Sequence, residues 1–350
     1  MAEAATNNNE QRIILGDGMT PVAIDNGHAN QKICFWVEDG RGDQKIQSLL
    51  LPSRAQLGIT RIGESGEHVN AYTVDGEDWT VNVDISQADM SAGKGYAYSN
   101  VNTVLVNHSL MTAGFGGQAV RLATGVPISH FYVGGALNKK LLDKIKRSLK
   151  RPVSVHARKG PGAAEIKRHE IYPESVGAVI DWMVNEDGEA TQEIQLGVAV
   201  CDVGGYTTDV SVIGADNSID ANRSGSAENM GALEIRNALK NIVTAELGVE
   251  NIRDIQLDQA LRTGCCSIGG TMQDMREMVV EARTLTAQRV LNFIGQKVGD
   301  GSDLDCVLFV GGGSSILAPV LKKQYKNGSL VDNPEFANAR GFLKQMTFLR

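Results

Sequence analysis

The chain has 350 residues and a formal net charge of −7, too long for one ordinary hydrophobic core and comfortable for two. That acidic balance excludes a large direct nucleic-acid surface, which needs clustered Lys and Arg. With 42% hydrophobic and 21% charged residues, the composition is that of a soluble globular protein, and no run approaches the ~18 apolar residues of a membrane span.

The opening MAEAATNNNEQR is polar and lacks the basic start and apolar stretch of a secretory leader, so residues 1–12 are predicted to be a disordered tail. Apolar, β-branched runs predict strands at 21–25 (PVAID) and 32–38 (KICFWVE), joined by NGHANQ. A hairpin is predicted over 68–83, turning at Asp75–Gly76. A helix follows at about 99–113 with Gly114 as its C-terminal cap, then a buried strand over 119–128 that stops near Pro127. KKLLDKIKRSLKR at 139–151 has amphipathic helical spacing, with Leu141, Leu142, Ile145 and Leu149 on one face. Its basic residues read as a solvated face. Residues 172–188 predict a further helix with Pro173 and Glu174 in its first turn.

The clearest break is EDGEATQE, and the second half then repeats the opening. GVAVCDVGGYTTDVSVI (197–213) is again strand, Asp-Gly turn and strand. A Gly/Ser/Asn-rich loop at 222–231 precedes a helix, and two more helical segments follow. Then come a strand at 306–310, the turn Gly311-Gly312-Gly313-Ser314 and a last helix. The pattern is mixed α/β with two similar halves. The five cysteines, Cys34, Cys201, Cys265, Cys266 and Cys306, are odd in number, and three lie in apolar runs. They suit a reducing compartment, hence a cytoplasmic location, and the adjacent pair lacks zinc or redox spacing.

Two hairpins carry the chemistry. Ile24-Asp25-Asn26-Gly27 opens one and Cys201-Asp202-Val203-Gly204-Gly205 the other. A strand-end carboxylate can hold waters of a Mg²⁺ ion, and a glycine turn lets backbone N–H groups close around phosphate oxygens. Either turn alone is an ordinary hairpin turn; two in matching positions favour function. Glu174 lies between them in sequence and is suited to orienting and polarising an attacking water. The Ser224–Gly231 loop before a helix is a weaker anion or ribose site. Gly311, Gly312 and Gly313 suggest close backbone approach to a flat ligand. Walker A, Rossmann, zinc-protease and nucleophile-elbow motifs are absent.

Together D-x-G…K (Asp25, Gly27, Lys32), P-E-S at 173–175, D-x-G-G-x-T-x-D from Asp202, and the late G-G-G turn resemble the superfamily of actins, heat-shock chaperone ATPases and sugar kinases. Within it the chain is similar to the ParM/StbA plasmid-segregation actins of bacteria, over roughly residues 20–345. Segments 102–114, 123–132 and 288–292 add to that likeness. The resemblance implies an α/β, actin-like (ribonuclease H-like) two-domain fold with nucleotide in the interdomain cleft. Domain I would be 13–187 plus 332–350, and domain II 188–331. It further implies Asp25 and Asp202 as the Mg²⁺-phosphate carboxylates acting through water, with Asp202 and Glu174 catalytic. Asn26, Gly27, Lys32, Gly204, Gly205 and Thr207 would bind phosphate; Gly231 and Gly311–Gly313 would lie near ribose and base. His28 departs from the small hydroxyl residues usual in the first turn, and Pro319 is unusual in what reads as the first turn of the last helix.

The implied function is a Mg²⁺-dependent ATP hydrolase that polymerises with itself into dynamic filaments. GTP stays open, since a backbone contact fits either purine. The implied partner is a ParR-like adaptor bound to centromeric plasmid DNA, with no direct DNA or membrane contact. The alternatives are a small-molecule kinase of the same superfamily and a weakly catalytic scaffold for division or pilus assembly.

Overall fold

The structure, a computed structural model, describes residues 11–12, 18–64, 66–81, 95–156 and 160–349. The chain divides into two compact units, Met1–Glu193 with Phe336–Arg350, and Ile194–Glu335. The main sheet of the first unit contains β1 (Thr20–Asn26), β2 (Asn30–Glu38), β3 (Gln44–Pro52), β4 (Ala119–Val126) and β5 (Glu165–Pro173). Their order is β3-β2-β1-β4-β5. β2 runs antiparallel to both its neighbours, while β1, β4 and β5 are parallel.

The second unit repeats this path. β6 (Gly197–Val203), β7 (Thr207–Gly214), β8 (Gly225–Glu228), β9 (Cys306–Val310) and β10 (Gly328–Leu330) lie in the order β8-β7-β6-β9-β10. β7 is antiparallel to β6 and β8, and β6, β9 and β10 are parallel. The two Asp-Gly hairpins are therefore the same element of one repeated topology.

Among the described residues the helices of eight or more residues are, in chain order, α1 (Asn100–Thr112), α2 (Lys139–Leu149), α3 (Val176–Met183), α4 (Leu233–Leu247), α5 (Asp254–Thr263), α6 (Arg276–Val298), α7 (Gly312–Gln324) and α8 (Ala337–Phe348). Central strands are near-continuous apolar runs because helices cover both faces. In the first unit Val22, Ile24 and Phe35 pack with Val106 and Leu110 of α1 and with Leu142 and Ile145 of α2. Ala23, Cys34 and Trp36, one residue out of phase, meet Phe342, Leu343 and Met346 of α8. The side-chain period of two sorts the strand between two cores.

Local signals were read well where the chemistry is local. Ser99 caps α1 by accepting from Asn102 N, and Gly114 beyond its end has φ 78°. The hairpin turns at Asp75 and Gly76 with φ 49° and 78°, the double positive φ of a type I′ turn; residues 82–83 lie outside the described residues. α2 buries Leu142, Ile145 and Leu149.

Several expectations are corrected. Gln11 and Arg12, assigned to the tail, pair with Glu38 and Val37 of β2, and the Arg12 guanidinium lies 4.2 Å from the Phe115 ring. Residues 1–10 lie outside the described residues. The helix expected over 172–188 runs only from Val176 to Met183, since Tyr172 and Pro173 finish β5 and Val184 bridges to Ala190. Part of the 222–231 loop is strand β8. α7 begins at Gly312, so Pro319 lies in the helix interior, where its ring nitrogen has no hydrogen to offer the Ser315 carbonyl.

α3 and α8 meet through glycines. A Cβ on Gly341 would lie 1.7 Å from the Gly177 carbonyl oxygen, and one on Gly177 would lie 2.5 Å from the Phe342 ring. Asp181, 4% exposed at its side chain, is held by Arg340 at 2.6 Å and Lys344 at 2.7 Å. Gly341→Ala must push these helices apart, and an overpacking cost of about 2–4 kcal/mol is expected. A melting curve should show it as a fall of roughly 5–15 °C; an unchanged midpoint would refute the tight contact.

Two buried histidines of the first unit set a pH dependence. Burial, with Lys146 and Lys150 nearby, pushes His169 down to about 3, and burial pushes His108 down to about 4. Both are neutral when folded, whereas the unfolded chain protonates them near 6.5. Their contribution is complete above about pH 6.5 and is lost as pH falls toward their folded values. Melting temperature should fall between about pH 6.5 and 4.5, less steeply in His169→Gln. Parallel curves for parent and variant would contradict this.

Candidate functional site

In the first unit the candidate residues gather where parallel strands end. Ile24 pairs with Thr124, and Pro173 with Val126, so β1, β4 and β5 finish on one edge of the sheet. Ligands of open α/β sheets bind outside such carboxyl ends. Asp25, Asn26 and Gly27 close β1 there, and Glu174 follows β5.

Asp25 is 6% exposed and accepts from Lys32 Nζ at 2.9 Å, its direct cross-strand partner. A Cβ on Gly27 would lie 2.9 Å from that Nζ and 3.1 Å from Asn30 O, so a side chain there would have to displace the Lys32 ammonium from Asp25. The Gly27 carbonyl accepts from Ser53 Oγ at 2.6 Å, and Gln31 Nε2 donates to Ser53 Oγ at 2.9 Å and to Tyr96 Oη at 3.0 Å. Burial raises the Tyr96 phenol, which stays protonated. The His28 ring packs at 4.6 Å on Tyr96. Asn26 Nδ2 donates to Asn102 Oδ1 at 3.1 Å, and Ser99 and Ala97 hold Asn102 in turn. Gln31, Ser53, Tyr96 and Asn102 come from separate segments and form no local motif, so nothing in the sequence marks their meeting.

Glu174 is not in a helix turn, contrary to expectation. It lies in the connection from β5 to α3, its N–H donating to Val126 O at 2.9 Å. Its Cγ would stand 2.9 Å from a Cβ on Gly125, which Phe342 also crowds at 2.6 Å. The bare backbone at Gly125 therefore makes room for the glutamate stem at the sheet edge.

In the second unit Asp202 closes β6 and pairs with Val310 at the end of β9, so Gly311 follows on the same edge. Three glycine segments converge. A Cβ on Gly311 would lie 2.2 Å from Asp202 Oδ1, one on Gly313 2.6 Å from Val203 Cγ1, and one on Gly231 2.4 Å from Gly205 O. Gly311 has φ 82°, and its N–H donates to Pro334 O at 2.8 Å. Gly204 N donates to Thr207 O, while Gly204 O and Gly205 O accept from Ala232 N and Leu233 N, each at 2.9 Å. The start of α4 is thereby tied to the hairpin turn. Gly312 and Gly313 are the first residues of α7.

The two hairpins differ at one equivalent position. Asp25 faces Lys32, but Asp202, also seven residues from its partner, faces Asp209, which accepts from Thr207 Oγ1 at 2.7 Å. Carboxylates directly opposite on paired strands repel, so the second hairpin is where an added cation gains most. Among the described residues no three His, Cys, Asp or Glu groups gather as a metal cage.

Comparison with known proteins covers both halves. Residues 20–185 match the family model of plasmid segregation protein ParM, N-terminal, and residues 200–323 that of the archaeal actin homologue MreB-like, C-terminal. No curated protein matches the chain. Among solved structures it is similar to Ta0583, an archaeal actin homologue, with a TM-score of 0.74 and 20% identity over 94% of this chain and 99% of that one. A 15-stranded ParM filament from Clostridium botulinum gives 0.69 and 19% over 93% and 98%. Bacillus thuringiensis ParM with AMPPNP gives 0.65 and 14% over 93% and 97%. The fold is actin-like. Among the described residues no helix is long and apolar enough to cross a membrane.

Proposed function

For an actin-like chain whose residues 20–185 match the ParM/StbA family model and whose residues 200–323 match the archaeal MreB-like one, we propose a nucleotide-governed filament that hydrolyses ATP and segregates plasmid DNA through an adaptor. The observation that carries this reading is the repeated sheet, with an Asp-Gly hairpin at the carboxyl edge of each copy and, in the second unit, Gly231, Gly311 and Gly313 packed too closely for a side chain. A ParM of this fold was solved with AMPPNP and another as a filament, which supports both nucleotide and self-association here.

Bound Mg-ATP supplies a γ-phosphoryl group whose charge the cation neutralises, open to in-line attack by water. Asp202, with Asp209 opposite, is the carboxylate best placed for the metal's water shell, and Asp25 with Lys32 offers a second polar pair for phosphate. The N–H groups of Gly27 and Gly205 would donate to phosphate oxygens, while Gly204 N, bonded to Thr207 O, holds the turn in shape. Gly231 and Gly311–Gly313 leave backbone bare for the nucleoside, whichever purine it carries. Glu174 accepts a hydrogen bond from the attacking water and aligns it. DNA would be reached through a ParR-like protein on centromeric sequence, in keeping with a net charge of −7.

Sedimentation of the purified chain with ATP, with ADP and without nucleotide tests the reading. Pelleting that depends on ATP is expected. A chain that binds ATP and stays monomeric at high concentration would overturn it.

A further inference from the structure

One non-glycine residue beside the candidate site is held where L-residues seldom go. Ser175 has φ 68° and ψ −45°, and Val176 N donates to Glu174 O at 2.8 Å. This is a γ-turn of the positive-φ kind, the rare and strained one. Glycine would adopt it at least cost, yet serine stands here, 1% exposed. The turn is gripped on all sides. Glu174 N is tied to Val126 O of β4, Ser175 O accepts from Val179 N at 3.0 Å, and Ser175 N donates to Asn338 Oδ1 of α8 at 3.0 Å. Asn338 is itself 4% exposed, and the Gly177–Gly341 contact brings α8 close enough for that bond.

Strain of this sort persists only where the surroundings over-determine it, and it clusters where geometry serves function. Relaxing Ser175 to an ordinary conformation would swing the preceding peptide, and with it the direction in which Glu174 leaves the sheet edge. We propose that Asn338 is a positioning residue for hydrolysis: its amide oxygen pins the strained turn at Ser175 and so fixes the Glu174 carboxylate. The inference rests on the reading of Glu174 as the residue that aligns water. Asn338 touches neither nucleotide nor water in this scheme; it acts through the backbone.

The test measures ATP turnover and melting for Glu174→Ala, Asn338→Ala and the double variant Ser175→Gly/Asn338→Ala. Asn338→Ala should lower kcat on the order of 10- to 100-fold, as small misplacements of catalytic groups do, with KM for ATP within about twofold because uniform binding is untouched. Glycine at 175 needs less pinning, so the double variant should recover much of kcat. A folded Asn338→Ala with parental kcat, beside a slow Glu174→Ala, would overturn the inference and leave the role of Glu174 standing. A Glu174→Ala with parental turnover would instead remove the reading on which it rests. Should Asn338→Ala fail to fold, amide hydrogen exchange on the parent decides: the Ser175 N–H should be protected like the sheet core, and rapid exchange would refute the pin.

Discussion

Glu174→Ala is expected to slow phosphate release by about 10²–10⁴-fold, the span of a positioned general acid–base group, while ATP still binds and filaments still form. The separation follows from where the residue stands. Glu174 lies after β5 and is held through Val126 and Gly125, in a different segment of the chain from the glycine turns proposed to cradle phosphate. It contributes no backbone to those turns, so its loss should not change their shape. Filaments formed with ATP should therefore persist far longer in the variant than in the parent. Loss of binding together with hydrolysis would mean that Glu174 is part of the nucleotide cradle; unchanged hydrolysis would remove it from the chemistry.

The second large effect is expected at Asp202. Asp202→Ala removes one of two opposed carboxylates and the proposed anchor of the metal's water shell, and should weaken Mg-ATP binding by roughly 100-fold or more, equivalent to about 2.7 kcal/mol. Gly312→Ala isolates the nucleoside side of the same unit. Its Cβ would meet nothing nearer than Glu335 Cβ at 3.8 Å, and alanine favours a helix by about 0.5–1 kcal/mol over glycine. The variant should fold at least as well as the parent yet bind nucleotide about tenfold more weakly. With no clash inside the protein, lost affinity reports ligand contact alone; calorimetric titration showing parental affinity would mean the α7 start does not approach the nucleotide.

Much of the fold was legible because its signals are local. Apolar runs ending in Asp-Gly turns marked β1, β2, β6 and β7, and their recurrence announced the repeat that the sheet orders display. Gly114 and the Asp75–Gly76 turn act through their own backbone. What escaped depends on distant partners. β5 reads as charged and irregular since a bulge between Ile166 and Arg168 breaks its alternation. P-E-S is a common helix opening and points to a helix at Glu174, while nothing nearby signals that Asn338, 163 residues on, holds Ser175 in a γ-turn. Gly125, Gly177 and Gly341 are bare because Phe342 and a facing helix leave no room. Only the packed molecule reveals that. In the second unit the Ser224–Gly231 loop is a weak signal by composition alone, and the structure supplies a local reason for Gly231, its approach to Gly205 O.

The most direct measurement is light scattering recorded together with phosphate release after one addition of Mg-ATP to the purified chain. The account predicts a rise in scattering on addition, then a decay as released phosphate approaches the ATP supplied, with a fresh rise on a second addition. Phosphate release with flat scattering at every protein concentration, or scattering that neither needs ATP nor decays with its consumption, would contradict it.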